Sequence, residues 1–180
     1  MERYDYDFHC TKLFEEGVCA HRYGDVSIIH QSNDVDCFIL DIPAKAEEMF
    51  RENFKLRNDE TILLARDTSI WNNRTEGLVI TNRRIVYIPK CIGSNKNIYV
   101  INYADCQHIN TNTDSVLFWK GNESYLAIPK SFFFKARWKT YDFDRSIEQL
   151  TMLLNKMGEA HSLHNNAAHI AYNTNKYAEA

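Results

Sequence analysis

Asp59 to Pro89 reads DETILLARDTSIWNNRTEGLVITNRRIVYIP. Thr61–Ala65 is an apolar run too short for a helix of ordinary length; Gly77–Thr81 and Ile85–Ile88 are two more short runs. β-Branched and aromatic residues fill them (Ile62, Val79, Ile80, Ile85, Val86, Tyr87, Ile88), which suits a pleated, half-buried surface. Asn72, Asn73 and Arg74 make the first polar break. Thr81-Asn82-Arg83 is short enough for a hairpin turn, with Asn82 as the residue able to take a positive φ. Pro89 lacks an amide donor and ends the third run. The pattern predicts an antiparallel meander.

Downstream, the short-strand pattern continues. Past Gly93-Ser94-Asn95-Lys96, residues 97–102 alternate, with Ile98 and Val100 on one side and Tyr99 and Ile101 on the other. Tyr103-Ala104-Asp105 reads as a bend and Cys106–Ile109 as a strand. Ser115–Lys120, Gly121-Asn122 and Glu123–Ile128 read as a second hairpin. The period then changes. Phe143, Ile147, Leu150, Leu154 and Met157 form one apolar stripe, which predicts a helix over 142–157 capped by Asp142 or Asp144 and ended by a left-handed Gly158. Short strands at near-regular spacing predict a sandwich or barrel, and one amphipathic helix after them suits the closing of one end.

Upstream, Pro43 suits the first position of a helix over AKAEEMFRENFKL, with Ala46, Met49, Phe50 and Phe54 on its apolar face. Asp25–Gln31 and Val35–Ile42 read as a hairpin about Ser32-Asn33-Asp34, and Thr11–His21 as a short helix ended by Gly24. Residues 159–180, rich in Asn, Ala and His, read as a weak helix or a tail.

Composition sets bounds on function. The chain has 180 residues, 44% hydrophobic and 25% charged, a globular balance. A net charge of -3 argues against a surface given over to nucleic acid. No apolar run approaches the roughly 20 residues of a membrane span, and MERYDYDFHC lacks the apolar segment of a secretory signal. Cys10, Cys19, Cys37, Cys91 and Cys106 are odd in number and show no CxxC, as expected for reduced thiols in a cytoplasm.

The order of elements resembles the pleckstrin-homology (PH) superfold, its GRAM-like bacterial relatives included. Ile42-Pro43 with Lys45, a helix, and then Glu60-Thr61-Ile62-Leu63-Leu64-Ala65 are similar to the opening of a family of bacterial PH-like domains. Asp67, Thr68-Ser69-Ile70-Trp71, Gly77–Thr81 and Tyr87 stand at places comparable to that family's D-x-T-x-F/W-G element, its Gly and its apolar strand. Ile101–Cys106 is similar to its later I-x-Y-x-D-I element. Asn72 stands where a Gly is usual, and Cys106 where Ile or Val is usual. The resemblance covers residues 42–157. It implies an α+β fold: a PH-like split β-barrel of about seven antiparallel strands closed by a C-terminal helix. Residues 1–41 would be an N-terminal α+β extension, 42–158 the PH-like domain with its leading helix, and 159–180 the tail. A bacterial or phage cytoplasm is the implied setting. The matched positions read as turn and core residues, which carry fold rather than a ligand site.

The most unusual stretch is Ser131–Tyr141, SFFFKARWKTY, which mixes aromatic and basic residues as an anchoring surface does. Phe132, Phe133, Lys135, Arg137 and Trp138 are its candidate binding residues; the plainer reading puts the Phe side chains in the core and the cations in solvent. Arg83 and Arg84, with Lys90 and Lys96, are candidates for an anionic headgroup, against the plainer reading of a solvated face. Cys10, Cys19, Cys37, His9, His21 and His30 are dense but lack short metal-ligand spacing. Asp34, Asp36, Asp41, Glu47 and Glu48 make only a loose carboxylate set, and no P-loop, G-x-S-x-G or H-E-x-x-H is present.

The expected function is therefore non-catalytic binding of a protein or peptide partner, with no catalytic residue, metal or cofactor assigned. The alternatives are peripheral attachment to an anionic membrane surface through 131–141, and a small metal-dependent hydrolase built on the N-terminal part. Nucleic acid is disfavoured, and the oligomeric state is left open, a homodimer included.

Overall fold

The three apolar runs of 59–89 become β2 (Ile62–Asp67), β3 (Gly77–Thr81) and β4 (Arg84–Ile88), and every residue of β2 and β3 is buried. The computed structural model describes residues 3–18, 36–92, 95–135 and 143–161. Within them, these strands form the centre of a five-stranded antiparallel sheet ordered β1-β2-β3-β4-β7, with β1 (Cys37–Ile39) and β7 (Tyr99–Asn102) at its edges. Between β4 and β7, β5 (Cys91–Ile92) and β6 (Asn95–Lys96) make a small hairpin.

A sheet buried on both faces needs a cover on each. On one face α2 (Ala44–Asn53) lays Ala46 and Phe50, with Phe54 just beyond it, over Phe38, Ala65, Val79, Val86 and Ile88. On the other, Leu64, Leu78, Ile80, Ile85 and Ile101 share a core with a three-stranded sheet, β8 (His108–Thr111), β9 (Ser115–Lys120) and β10 (Glu123–Pro129), through Ile109, Val116, Phe118 and Ile128. The predicted stripe enters the same core from α3, residues 143–161, through Ile147, Leu150, Leu154 and Met157. α1 (Arg3–Val18) adds Cys10, Phe14 and Val18. It crosses α3 closely: a Cβ at Gly17 would lie 2.1 Å from Leu153 Cδ2.

The architecture is α+β, with two main antiparallel sheets and a C-terminal helix, and among the described residues no strand pairing closes the sheets into a barrel. The physical reason lies at β8. A 3-10 turn over Tyr103–Asp105 redirects the chain after β7, and Asn155 of α3 takes the outer edge of β8.

Several expectations are corrected. α1 begins at Arg3, not near Thr11. Asn82 is not among the positive-φ residues. The β3–β4 turn closes instead on the Thr81 hydroxyl, which accepts from the N–H groups of Arg83 and Arg84, both at 3.1 Å. Gly158 does not end α3; the helix runs another turn, where Ala160 packs on the core and His161 Nε2 donates to Asn82 O at 3.3 Å. The expected strand 25–31, the turn 32–34, Asp142 and the tail beyond His161 lie outside the described residues. No helix among the described residues is long and apolar enough to cross a membrane.

Candidate functional site

Asp67, the buried last residue of β2, organises the loop that follows. Its Oδ1 accepts from the N–H and the hydroxyl of Ser69, and its Oδ2 from the N–H of Arg74. Ser69 Oγ in turn accepts from Asn73 N–H at 3.0 Å. From the last turn of α2, Asn53 Nδ2 donates to the carbonyls of Asn73 and Arg74 at 3.3 and 3.0 Å. The Arg74 guanidinium folds back 5.9 Å from the centre of the Phe50 ring, a cation–π contact, and reaches Met49 Sδ at 3.4 Å.

The path is tight. Asn72 and Arg74 have φ of 52° and 57°. Asn takes this region at little cost. Gly77, at φ 140°, closes the loop where a Cβ would lie 1.9 Å from Arg66 O. At the crest, a turn with Asn72 N 3.4 Å from Ser69 O places Ile70 and Trp71 at its two central positions. They are 87% and 84% exposed, more than any other large hydrophobic described. Two adjacent large apolar side chains this exposed make a patch on the order of a few hundred Å², a size that is often functional. Residues 68–76 contain one cation, Arg74, and one anion, Glu76. Because Arg74 is turned back, the crest itself is uncharged.

Of the residues singled out from sequence, the described ones lie elsewhere and are not brought together. Phe133 and its neighbour Phe134 are fully buried in the central core. Phe132 is partly buried and meets Tyr87 edge-on at 5.0 Å, and Tyr87 also meets Tyr99 at 5.9 Å. Lys135 is exposed, and Arg137 and Trp138 lie outside the described residues.

Arg83 pairs with Asp59 at 3.3 Å. Arg84 is locked on buried Glu60, with Nε 2.7 Å from Oε1 and Nη2 3.0 Å from Oε2, and also donates to Lys55 O. Glu60 further accepts from Arg57 N–H and the Thr81 hydroxyl. Burial pushes the Glu60 carboxyl up, but the Arg84 hydrogen bond, the Arg57 N–H and the Arg84 charge outweigh it and hold the pKa below its ordinary value. This network ties the α2–β2 connection to the β3–β4 turn, so Arg84 belongs neither to a solvated face nor to an open headgroup site. Lys96 Nζ donates to Asn53 O at 2.8 Å, and Lys90 is exposed.

Of the groups weighed for a metal, Asp36 pairs with Arg66 at 3.2 Å, while Cys19, His21, His30 and Asp34 lie outside the described residues. Among the described residues no three or more His, Cys, Asp or Glu side chains gather to hold a metal ion.

Sequence reasoning placed Ile70 and Trp71 among turn and core positions; both lie in a turn, and their exposure takes them out of the core. The available signal was two large apolar residues directly before Asn72-Asn73, inside turn chemistry, where a loop is ordinarily polar. Comparison with models of known families, with curated proteins and with solved structures finds no match for this chain.

Proposed function

We propose that the chain is a PH-like domain acting as a non-catalytic docking module, and that it engages a protein partner through the Ile70–Trp71 crest. The order of elements supports the fold reading: an antiparallel meander β2-β3-β4-β7, a second meander β8-β9-β10, then a C-terminal helix packed into the shared core. The observation that carries the function is the crest, a pair of large exposed apolar side chains on a loop fixed by Asp67, Ser69 and Asn53. Trp is among the residue types that dominate binding energy at interfaces. A loop already held in one conformation loses little further freedom on binding.

Charge favours protein over lipid. Loops that attach to anionic membranes pair an apolar tip with cations that meet the headgroups. Here the one cation of residues 68–76 is occupied by Phe50 and Met49. The complementary surface is thus an uncharged apolar recess on a folded protein.

The test replaces Trp71 with the photo-crosslinking amino acid benzoylphenylalanine, in cells. One saturable protein adduct is expected, competed by the wild-type chain and not by Ile70→Ser/Trp71→Ser. Adducts confined to lipid, or no saturable adduct, overturn the reading. Retention of wild type but not the double variant on phosphatidylserine vesicles would point to a membrane instead.

A further inference from the structure

The exposed edges of the two sheets are protected unequally. A free β edge is a template for pairing, and folded proteins blunt it with bulges, proline, charge or a covering element. The outer edge of β8 is covered: Asn155 Nδ2 donates to Ile109 O at 2.8 Å while its Oδ1 accepts from Ile109 N–H at 2.9 Å. The amide thus satisfies both backbone groups as a neighbouring strand would. β10 is broken by a register shift between Ser124 and Leu126, and it ends at Pro129, which has no N–H. β1 has three residues, all buried.

Among the described residues β7 shows none of these devices. Its register on β4 runs unbroken from Tyr99↔Tyr87 to Asn102↔Arg84. Its sequence, YVIN, contains no charge and no proline. Among the described residues no strand pairs with its outer side. Tyr99 and Val100, 42% and 41% exposed, project to opposite faces of the sheet.

We infer that β7 is a strand-addition site for an extended peptide segment of a partner protein. The chemistry of the segment follows from the two faces it would continue. Val100 is in register with Val86, on the face covered by α2, and Tyr99 with Tyr87, which also meets Phe132. A strand laid beside β7 therefore meets apolar neighbours on both faces. It takes an uncharged segment with apolar side chains at successive positions, held by main-chain hydrogen bonds. A second copy of the chain is the poorer occupant. A strand of this length spans only about 13 Å, and pairing two such edges buries far less than the roughly 800 Å² per partner of a stable dimer.

The inference is independent of the crest, and the test separates the two. A random-peptide phage library is panned on the full chain, and the strongest clone is synthesised as a free peptide. The expected peptide is apolar at successive positions and, on binding, slows amide hydrogen exchange within Tyr99–Asn102. Tyr99→Lys/Val100→Lys, which changes side chains that are 42% and 41% exposed and whose melting temperature is measured alongside to confirm an intact fold, should weaken it by at least about tenfold. Ile70→Ser/Trp71→Ser should bind it as wild type does. Recovery of no clone, binding without protection of the β7 amides, or binding lost only in the crest variant each overturn the inference. Sedimentation showing a wild-type dimer that the β7 variant abolishes would also overturn it, by naming a second copy as the occupant.

Discussion

The loop 68–76 and the stretch 131–135 invert what their compositions promise. The first is mostly polar, TSIWNNRTE, yet lifts Ile70 and Trp71 into solvent. The second, SFFFK, is mostly aromatic, yet turns Phe133 and Phe134 into the core. The difference lies in how each backbone is held. In the loop, Asp67, Ser69 and Asn53 side chains satisfy its N–H and C=O groups, so its apolar residues are not needed to fix it. In the stretch, a single 3-10 turn over Lys130–Phe132, with Lys130 O accepting from Phe133 and Phe134 N–H, does little alone. Burial of the rings holds that chain in place. Polar side chains that staple a loop thereby release its hydrophobic residues for another use.

The largest effect should come from the buried side of this comparison. Phe133→Ala removes a fully buried ring from the central core and should cost about 3–5 kcal/mol in urea unfolding. A loss below about 1 kcal/mol would mean that the site collapses around the missing ring or that the ring is not core, and the contrast with the crest would fail.

A second polar staple, Glu60 with Arg84, allows a test by pH. Glu60→Gln keeps the shape but removes the charge that Arg84 holds at 2.7 Å; hydrogen bonds to charged groups are worth about 1.5–3 kcal/mol. The folded pKa of Glu60 lies below the ordinary 4.5. Its contribution is therefore fully present above that value and is lost as pH falls through the folded pKa. Wild type and Glu60→Gln should differ most near about pH 7 and converge in strong acid. A gap that stays constant from neutral to acid pH would show that the carboxylate's charge is not what stabilises the turn.

Most of the fold was legible because its signals are local. The strands β2, β3 and β4 show as short continuous apolar runs buried on both faces, and the stripe Ile147, Leu150, Leu154, Met157 repeats at the period of a helix and is buried. What escaped depends on distant partners. The packing of α1 turns on Gly17 meeting Leu153. Asn155 reads as one polar residue on a helix until Ile109 is beside it. The crest escaped for the same reason: its staples join Asp67 to Arg74 and Asn53 to Asn73, pairs that no periodicity links. From sequence, an adjacent Ile and Trp look like core, and only the closed polar circuit beneath them shows that they need not be.

The smallest expected effect is the most informative. Ile70→Ser/Trp71→Ser removes two large side chains that are almost wholly exposed, so the urea midpoint should shift by no more than about 0.5 kcal/mol in equivalent stability. That near-zero set against the loss at Phe133 separates residues kept for the fold from residues kept for contact. Asp67→Ala gives the complementary reading. It deletes the acceptor shared by Ser69 and Arg74, so it should speed amide exchange at Ser69 and Arg74 while Ile70 and Trp71 stay chemically intact. If the crest variant instead destabilises the chain by more than about 1 kcal/mol, Ile70 and Trp71 are packed against something in solution, and the crest is a covered surface rather than an open one.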